Sequence, residues 1–272
     1  MEDRPRRGFP RVDDWSRPSF RSACEELGIT RYRKGVFDRL DWQRAICLEG
    51  LRLQERIRPD AMILFVAAGT DPTIFVLSRY CKAVYATDLY DGHWASAPRR
   101  FVEAPSSFGR IGGASERIIA LRADACHLPF EQDRFDVTLC LGPSINYFGG
   151  RHRAVEALGE MARVTRPGGL IAGVIEVALE GRGNRIIFDA GFAATLLTSA
   201  VSVRSIAPVV FDTSGLVGLP TITGVVRFPP PQPNVPQIIL RTPLISRTPF
   251  SRPRFAPFFF WLGKCGVEGH LP

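Results

Sequence analysis

Arg122-Ala-Asp124-Ala-Cys-His-Leu128-Pro129-Phe130-Glu-Gln-Asp-Arg-Phe135-Asp136-Val137 is the stretch whose reading decides the fold. It joins an acidic side chain, Asp124, to a short loop and then to the start of an apolar strand. A carboxylate at such a position suits a nucleoside ligand. Taken alone, Asp124 reads as an acidic surface turn, and only the whole pattern points beyond that.

Working outward, strand and helix patterns alternate. Upstream, Met62-Ile-Leu-Phe-Val66 is a continuous apolar run of the kind buried on both faces of a sheet, and it ends in the turn Ala67-Ala-Gly69-Thr-Asp71-Pro72. A helix is expected over 73–80, a second strand over 83–87 with Asp88 at its carboxyl end, and a further helix near 97–102. The third strand spans 118–121 and the fourth 136–141. From 151 to 165 the residues Ala154, Leu158, Met161, Ala162 and Val164 share one helical face. Pro167-Gly168-Gly169 ends that helix before a fifth strand over 170–177. Before all of these, apolar positions over 41–57 predict a helix with Asp41 as its N-cap and Pro59 closing it. The last third is less regular, with a helix over 186–200 and strands over 201–210 and 237–240. Alternation of this kind implies parallel strands joined by right-handed crossovers, with ligands at the strands' carboxyl ends.

Composition bounds the rest. The 272 residues are 45% hydrophobic, enough for a substantial core, and favour one domain with extensions. We expect residues 1–35, rich in Arg, Pro and Ser, to form a flexible basic arm, and 36–272 to form a single domain. Phe228-Pro-Pro-Pro-Gln-Pro-Asn-Val-Pro236 reads as an extended Pro-rich loop, with polyproline recognition as its alternative. The net charge of +8 comes chiefly from the termini and argues only weakly for a polyanionic partner. The six cysteines fall singly and suit free thiols in a reducing cytoplasm. No apolar run approaches the roughly 18 residues of a membrane span, and Pro257 to Leu262 is far too short. No His, Cys and carboxylate cluster suggests a catalytic metal.

The motifs together resemble those of class I S-adenosylmethionine-dependent methyltransferases of the methyltransferase type 11 kind. The Asp124 stretch looks like that family's third and fourth motifs. Ala67-Ala-Gly69-Thr70-Asp71 resembles its Gly-x-Gly-Thr-Gly loop in degenerate form, with Phe65 where an acid is usual. Glu160-Met-Ala-Arg163-Val-Thr-Arg-Pro167-Gly-Gly169 is similar to its Glu-x-x-Arg-Val-Leu-Lys-Pro-Gly-Gly element. The resemblance covers about residues 60–177. It implies an α/β, Rossmann-like fold, a largely parallel central sheet with helices on both faces. It also implies S-adenosylmethionine as cofactor, held by Ala67, Gly69, Thr70, Asp88, Leu89, Asp124, Ala125, Leu141 and Gly142. Asp88 would accept the ribose hydroxyls; Asp124 and the Ala125 amide would address adenine, between apolar contacts from Leu89 and Leu128.

In the loop after strand four the related sequences often read Ile-Glu-His-Phe-Gly-Gly. Here Asn146 and Tyr147 replace the Glu-His pair and become the substrate-side candidates. Neither is a strong base at neutral pH, and no catalytic residue is assigned. Tyr147, His152 and His93 are each able to serve a proton transfer or a purely structural role. The spacing to Asp88 fits a nicotinamide dinucleotide site as well, but Asp71 and Pro72 stand where a diphosphate needs bare amides. The resulting expectation is a cytoplasmic enzyme methylating a small-molecule or glycan-like acceptor, with O-methylation ahead of N-methylation by family analogy. Two other classes remain: a non-catalytic cofactor-binding or scaffold protein, favoured by the degenerate loops, and a nucleic-acid methyltransferase, favoured by the basic arm.

Overall fold

Apolar runs with no polar face must be covered on both sides, and the strands containing them form the centre of the sheet. In the computed structural model, β1 (Met62–Val66) lies between β2 (Ala83–Asp88) and β4 (Phe135–Cys140), with β3 (Ile118–Arg122) beyond β2 and β5 (Thr165–Ala178) beyond β4. All of these pairings are parallel. The structure describes residues 5–30, 33, 38–92, 97–108, 115–141, 145–179, 183, 186–198, 203–205, 209–212, 246–247 and 254–265.

The registers align the functional edge. Val66 pairs with Thr87, Thr87 with Leu121 and Asp88 with Arg122. Phe65 pairs with Leu139, so the turns after β1, β2, β3 and β4 emerge along one side of the sheet. The α/β, Rossmann-like class expected from the motifs is the observed one.

The other half of the sheet holds what periodicity did not reveal. β8 (Arg254–Lys264) runs antiparallel between β5 and β6 (Val203–Ser205), and β7 (Ser246–Arg247) pairs with its first residues. The apolar run at Pro257 to Leu262, too short for a membrane, is thus the core of an interior strand. Pro257 is tolerated there because Glu176, opposite it, turns its backbone N–H and C=O toward Asn146 and away from β8. The expected strand over 237–240 and the Pro-rich loop over 228–236 lie outside the described residues.

Helix α2 (Arg39–Leu53) is the helix expected over 41–57, but its N-cap is Asp38, whose carboxylate accepts from the Leu40 and Asp41 amides at 2.9 and 3.3 Å. Asp41 falls inside the first turn, where it faces Arg44. Gly50 lets the helix approach Trp261 of β8: a Cβ there would overlap the indole ring. α3 (Pro72–Ser78), α4 (Arg151–Val164) and α5 (Ala190–Thr198) fall near their expected places, whereas the helix near 97–102 is a single 3-10 turn, Arg99–Phe101.

Residues 5–30 depart from the expected flexible arm. α1 (Pro18–Glu26) starts with Pro at its first position and buries Phe20, Ala23 and Cys24, alongside α2. Trp15 meets Phe20 edge-on, and the Trp42 indole N–H donates to Asp14 at 2.9 Å. Arg17 and Ser19 both donate to Glu49. The physical reason is pairing: arginines read as a solvated run face buried carboxylates, while the intervening aromatics reach the core. Among the described residues no helix is long and apolar enough to cross a membrane.

Candidate functional site

The first turn of the site is shaped by its backbone. Ala67 and Gly69 both adopt left-handed conformations, with φ of 52° and 50°. Ala67 therefore takes the strained geometry that the family's glycine supplies without cost. The loop is tied to the next strand by the Ala68 amide, which donates to Thr87 O at 2.9 Å.

Asp88, the last residue of β2, accepts the Gly69 amide at 2.9 Å on one oxygen and the Leu89 amide at 2.7 Å on the other. Burial raises its carboxyl above the ordinary aspartate range, and the amides of Gly69, Leu89 and Tyr90 only partly oppose that rise. Behind it, fully buried Tyr90 donates its hydroxyl to Gly69 O at 2.8 Å. Leu89 points the other way and is 49% exposed, an unusual state for leucine at a strand end unless something apolar is to cover it.

Asp124 closes a tight turn after β3. Its carboxylate accepts the Cys126 amide at 3.0 Å, and its carbonyl accepts the His127 amide at 2.9 Å. Glu160 and Arg163 of α4 fix the chain that follows: Glu160 accepts from the Leu128 amide, and Arg163 donates to the carbonyls of Leu128 and Phe130. Two motifs far apart in sequence are thus one clamp. Leu128 belongs to the core beneath that clamp, 5% exposed, and is not among the residues lining the cleft.

A residue missed by sequence reasoning completes the turn. Arg153 of α4 donates to both Asp124 oxygens, at 2.7 and 2.6 Å, and its Nε donates to Phe148 O at 3.1 Å. Burial alone would raise the Asp124 carboxyl, but the Cys126 amide and the Arg153 guanidinium outweigh it and hold it below the ordinary range. No local pattern marks Arg153, because the pairing spans 29 residues.

These elements enclose one cleft, lined by Ala67, Asp88, Leu89, Ala97, Ala123, Asp124, Ala125, Tyr147, Phe148 and Arg153. Six of the sequence-derived candidates meet there: Ala67, Asp88, Leu89, Asp124, Ala125 and Tyr147. Gly69 stands behind the wall with its amide engaged by Asp88, Thr70 is half-buried beside it, and Leu141 is buried at the end of β4. Gly142 and His93 lie outside the described residues.

Asn146 requires correction as a substrate-side residue. It is 1% exposed; its amide nitrogen donates to the carbonyls of Glu176 and Ile186, and its oxygen accepts the Glu176 amide at 2.7 Å. It stitches the loop to β5. Tyr147 presents its ring to the cleft while its hydroxyl donates to Glu176 at 3.0 Å, and Glu176 also pairs with Arg39. Burial and the Glu176 charge push the phenol upward, away from any role as a base near neutral pH. His152 is 84% exposed and faces Glu156. Asp71, whose charge argued against a diphosphate, is the N-cap of α3: it accepts the Thr73 amide and the Arg44 guanidinium, at 2.9 and 2.8 Å.

Successive parallel strands followed by a tight glycine-containing turn, an aspartate and a second aspartate are the arrangement of a Rossmann-like nucleoside site. Residues 64–173 match the family model described as a methyltransferase domain. Among curated relatives, the chain is 36% identical over 132 residues to demethylmenaquinone methyltransferase of Mycobacterium tuberculosis H37Rv, covering 47% of this chain and 44% of that one. It is 34% identical over 131 residues to the Mycobacterium marinum protein of the same name, covering 47% and 45%. The chain thus spans less than half the length of these relatives. Among solved structures, a S-adenosylmethionine-dependent methyltransferase from Clostridium acetobutylicum is similar with a TM-score of 0.49 at 11% identity, over 87% of this chain and 96% of that one.

Proposed function

We propose that this chain transfers a methyl group from S-adenosylmethionine to a small-molecule acceptor. One observation carries the reading: Asp88 and Asp124, at the ends of neighbouring parallel strands, face a single cleft whose other walls are largely apolar. Asp88 would take the ribose hydroxyls on the lone pairs its backbone amides leave free. Asp124 would accept the adenine amino group beside Arg153, with the Ala125 amide facing the ring edge. Leu89 would cover the base. Left-handed Ala67 would hold the turn open toward the cofactor's amino-acid end, with Gly69 and Thr70 behind it and Leu141 at the end of β4.

When bound, the cofactor supplies a methyl group already activated on sulfur. The chain's task is then alignment and exclusion of water, which Tyr147 and Phe148 serve as a fixed aromatic wall. Tyr147 is held in place by Glu176, an anchor and not a proton acceptor for the substrate. The relatives' name includes a demethylated menaquinone as acceptor, which supports a small molecule over a nucleic acid for this chain as well. Within that class, oxygen is the acceptor atom expected from the wider fold family, and a demethylated quinol also offers a ring carbon. Five buried free thiols suit a cytoplasmic setting.

The pairing of Arg153 Nη2 with both Asp124 oxygens favours a second reading, a non-catalytic protein whose adenine-side carboxylate is already engaged. Calorimetry with S-adenosylhomocysteine, followed by transfer from methyl-labelled cofactor to a panel of quinols and phenols, separates the two. Asp88→Ala should weaken binding about 10–100-fold, the loss of charge-assisted hydrogen bonds, and Asp124→Ala should weaken it less. No binding at millimolar cofactor would remove the enzyme reading; binding without turnover would favour the second.

A further inference from the structure

At the opposite edge of the sheet, where β1, β4 and β5 begin, two guanidinium groups pair with one carboxylate and a third lies within reach of its charge. Asp136, 6% exposed, accepts the Met62 amide at 2.8 Å and pairs with Arg58 at 3.2 Å and Arg166 at 2.6 Å. Arg56 is the third cation. Its Nε is buried with no hydrogen-bond partner, and burial together with the charges of Arg58 and Arg166 works against its protonated form. Asp60 is the other carboxylate in contact with this group, through Arg58, and it is 76% exposed. Arg117 reaches the neighbouring turn, donating to the carbonyls of Arg79 and Cys81.

The balance of charge is unusual for a packed edge. Two arginines pair with one buried acid, Arg56 beside them carries an unsatisfied donor, and Arg166 remains 45% exposed. A buried donor left unpaired costs about 1–3 kcal/mol, and neighbouring guanidinium groups repel. Both penalties disappear if an oxyanion sits among them, because guanidinium N–H groups match tetrahedral oxyanions in pairs. The strands separate this edge from Asp88 and Asp124 by roughly 15–20 Å at about 3.3 Å per residue, so the cofactor cleft does not account for it.

We propose that Arg56, Arg58 and Arg166 form a binding site for a phosphate-type oxyanion at the amino-terminal edge of the sheet. A free phosphate and a phosphate-bearing headgroup present the same chemistry to it. The site is independent of the methyl-transfer reading.

The test is a thermal and calorimetric titration of the full chain with sodium phosphate against sodium chloride at matched ionic strength. The expected result is a saturable phosphate-specific rise in Tm, at least halved in Arg166→Gln and abolished in Arg56→Gln/Arg166→Gln, with S-adenosylhomocysteine affinity unchanged. Should the double variant not fold, 31P line broadening with the intact chain and with Arg166→Gln alone reads the same site. Binding to vesicles containing phosphatidic acid, lost in the variants, without a response to free phosphate would assign the site to a headgroup. Equal stabilisation by chloride and phosphate with no vesicle binding, or a phosphate response retained by the variants, would overturn it.

Discussion

At the scale of single residues, Ala67 shows how a motif departs from its family and keeps its shape. A left-handed alanine costs about 1–2 kcal/mol relative to glycine; Ala67→Gly relieves that but gives up a buried methyl worth about 0.8 kcal/mol and adds chain entropy to the unfolded state, about 0.4–1 kcal/mol. The substitution should therefore lie within about 0.5 kcal/mol of the parent by urea denaturation. Ala86→Gly, equally buried but in extended β2, should lose about 1.5 kcal/mol. The two aspartates of the cleft titrate in opposite senses. Asp88 has its carboxyl raised, so its favourable contribution to stability is present below its unfolded pKa and is lost as pH rises through its folded one. Asp124 is lowered, so its contribution is complete above its unfolded pKa and is lost as pH falls through its folded one. Carboxyl 13C titration should show this order, and Arg153→Ala should move Asp124 upward while leaving Asp88 in place. Cofactor affinity should accordingly begin to fall at a higher pH than an ordinary aspartate would give.

Among the elements, α3 depends on a residue that looks like a defect of the loop before it. Asp71 caps the helix and neutralises Arg44. Asp71→Ala should cost about 3–5 kcal/mol, the loss of a buried ion pair and a cap, and Asp71→Asn should restore about 1 kcal/mol through the cap alone; chemical denaturation measures both. The same comparison shows what sequence patterns carry. The strands ending at Asp88 and Asp124 were legible because their apolar runs and terminal acids are local. The parallel half of the sheet followed from alternation. β8 was not legible, because an apolar run with Pro257 in it gives no sign of its partners, and the pairing of Pro257 with Glu176 depends on Asn146 in another loop. Arg153 and Asn146 were missed or misassigned for the same reason: their partners lie 29 and 30 residues away.

Over the whole molecule, the main core is a field of side chains running from Phe9 to Leu262, with a small second cluster of Ala178, Ile187 and Phe255 beside it. It encloses most of the cysteines. Burial lifts the thiols of Cys24 and Cys140 to about 12 and those of Cys81 and Cys126 to about 11, and Cys47 is raised as well. Only Cys265 is partly exposed among the six. Ellman's reagent on the native protein should therefore modify about one thiol quickly, the other five following only on unfolding; a Cys265→Ser variant should abolish the rapid phase.

β8 has a further consequence, in time. Residues 254–264 must lie between β5 and β6, and Gly8 and Arg6 from the other end of the chain bond to Phe259 and Trp261. A ribosome adding about 5–20 residues per second would leave β5 finished for roughly 4–15 s before its antiparallel neighbour is made. Throughout that interval the nascent chain has an open, largely apolar strand edge without its partner strand. Yield in a cell should thus follow how well that edge is shielded during synthesis, more than the stability of the finished fold.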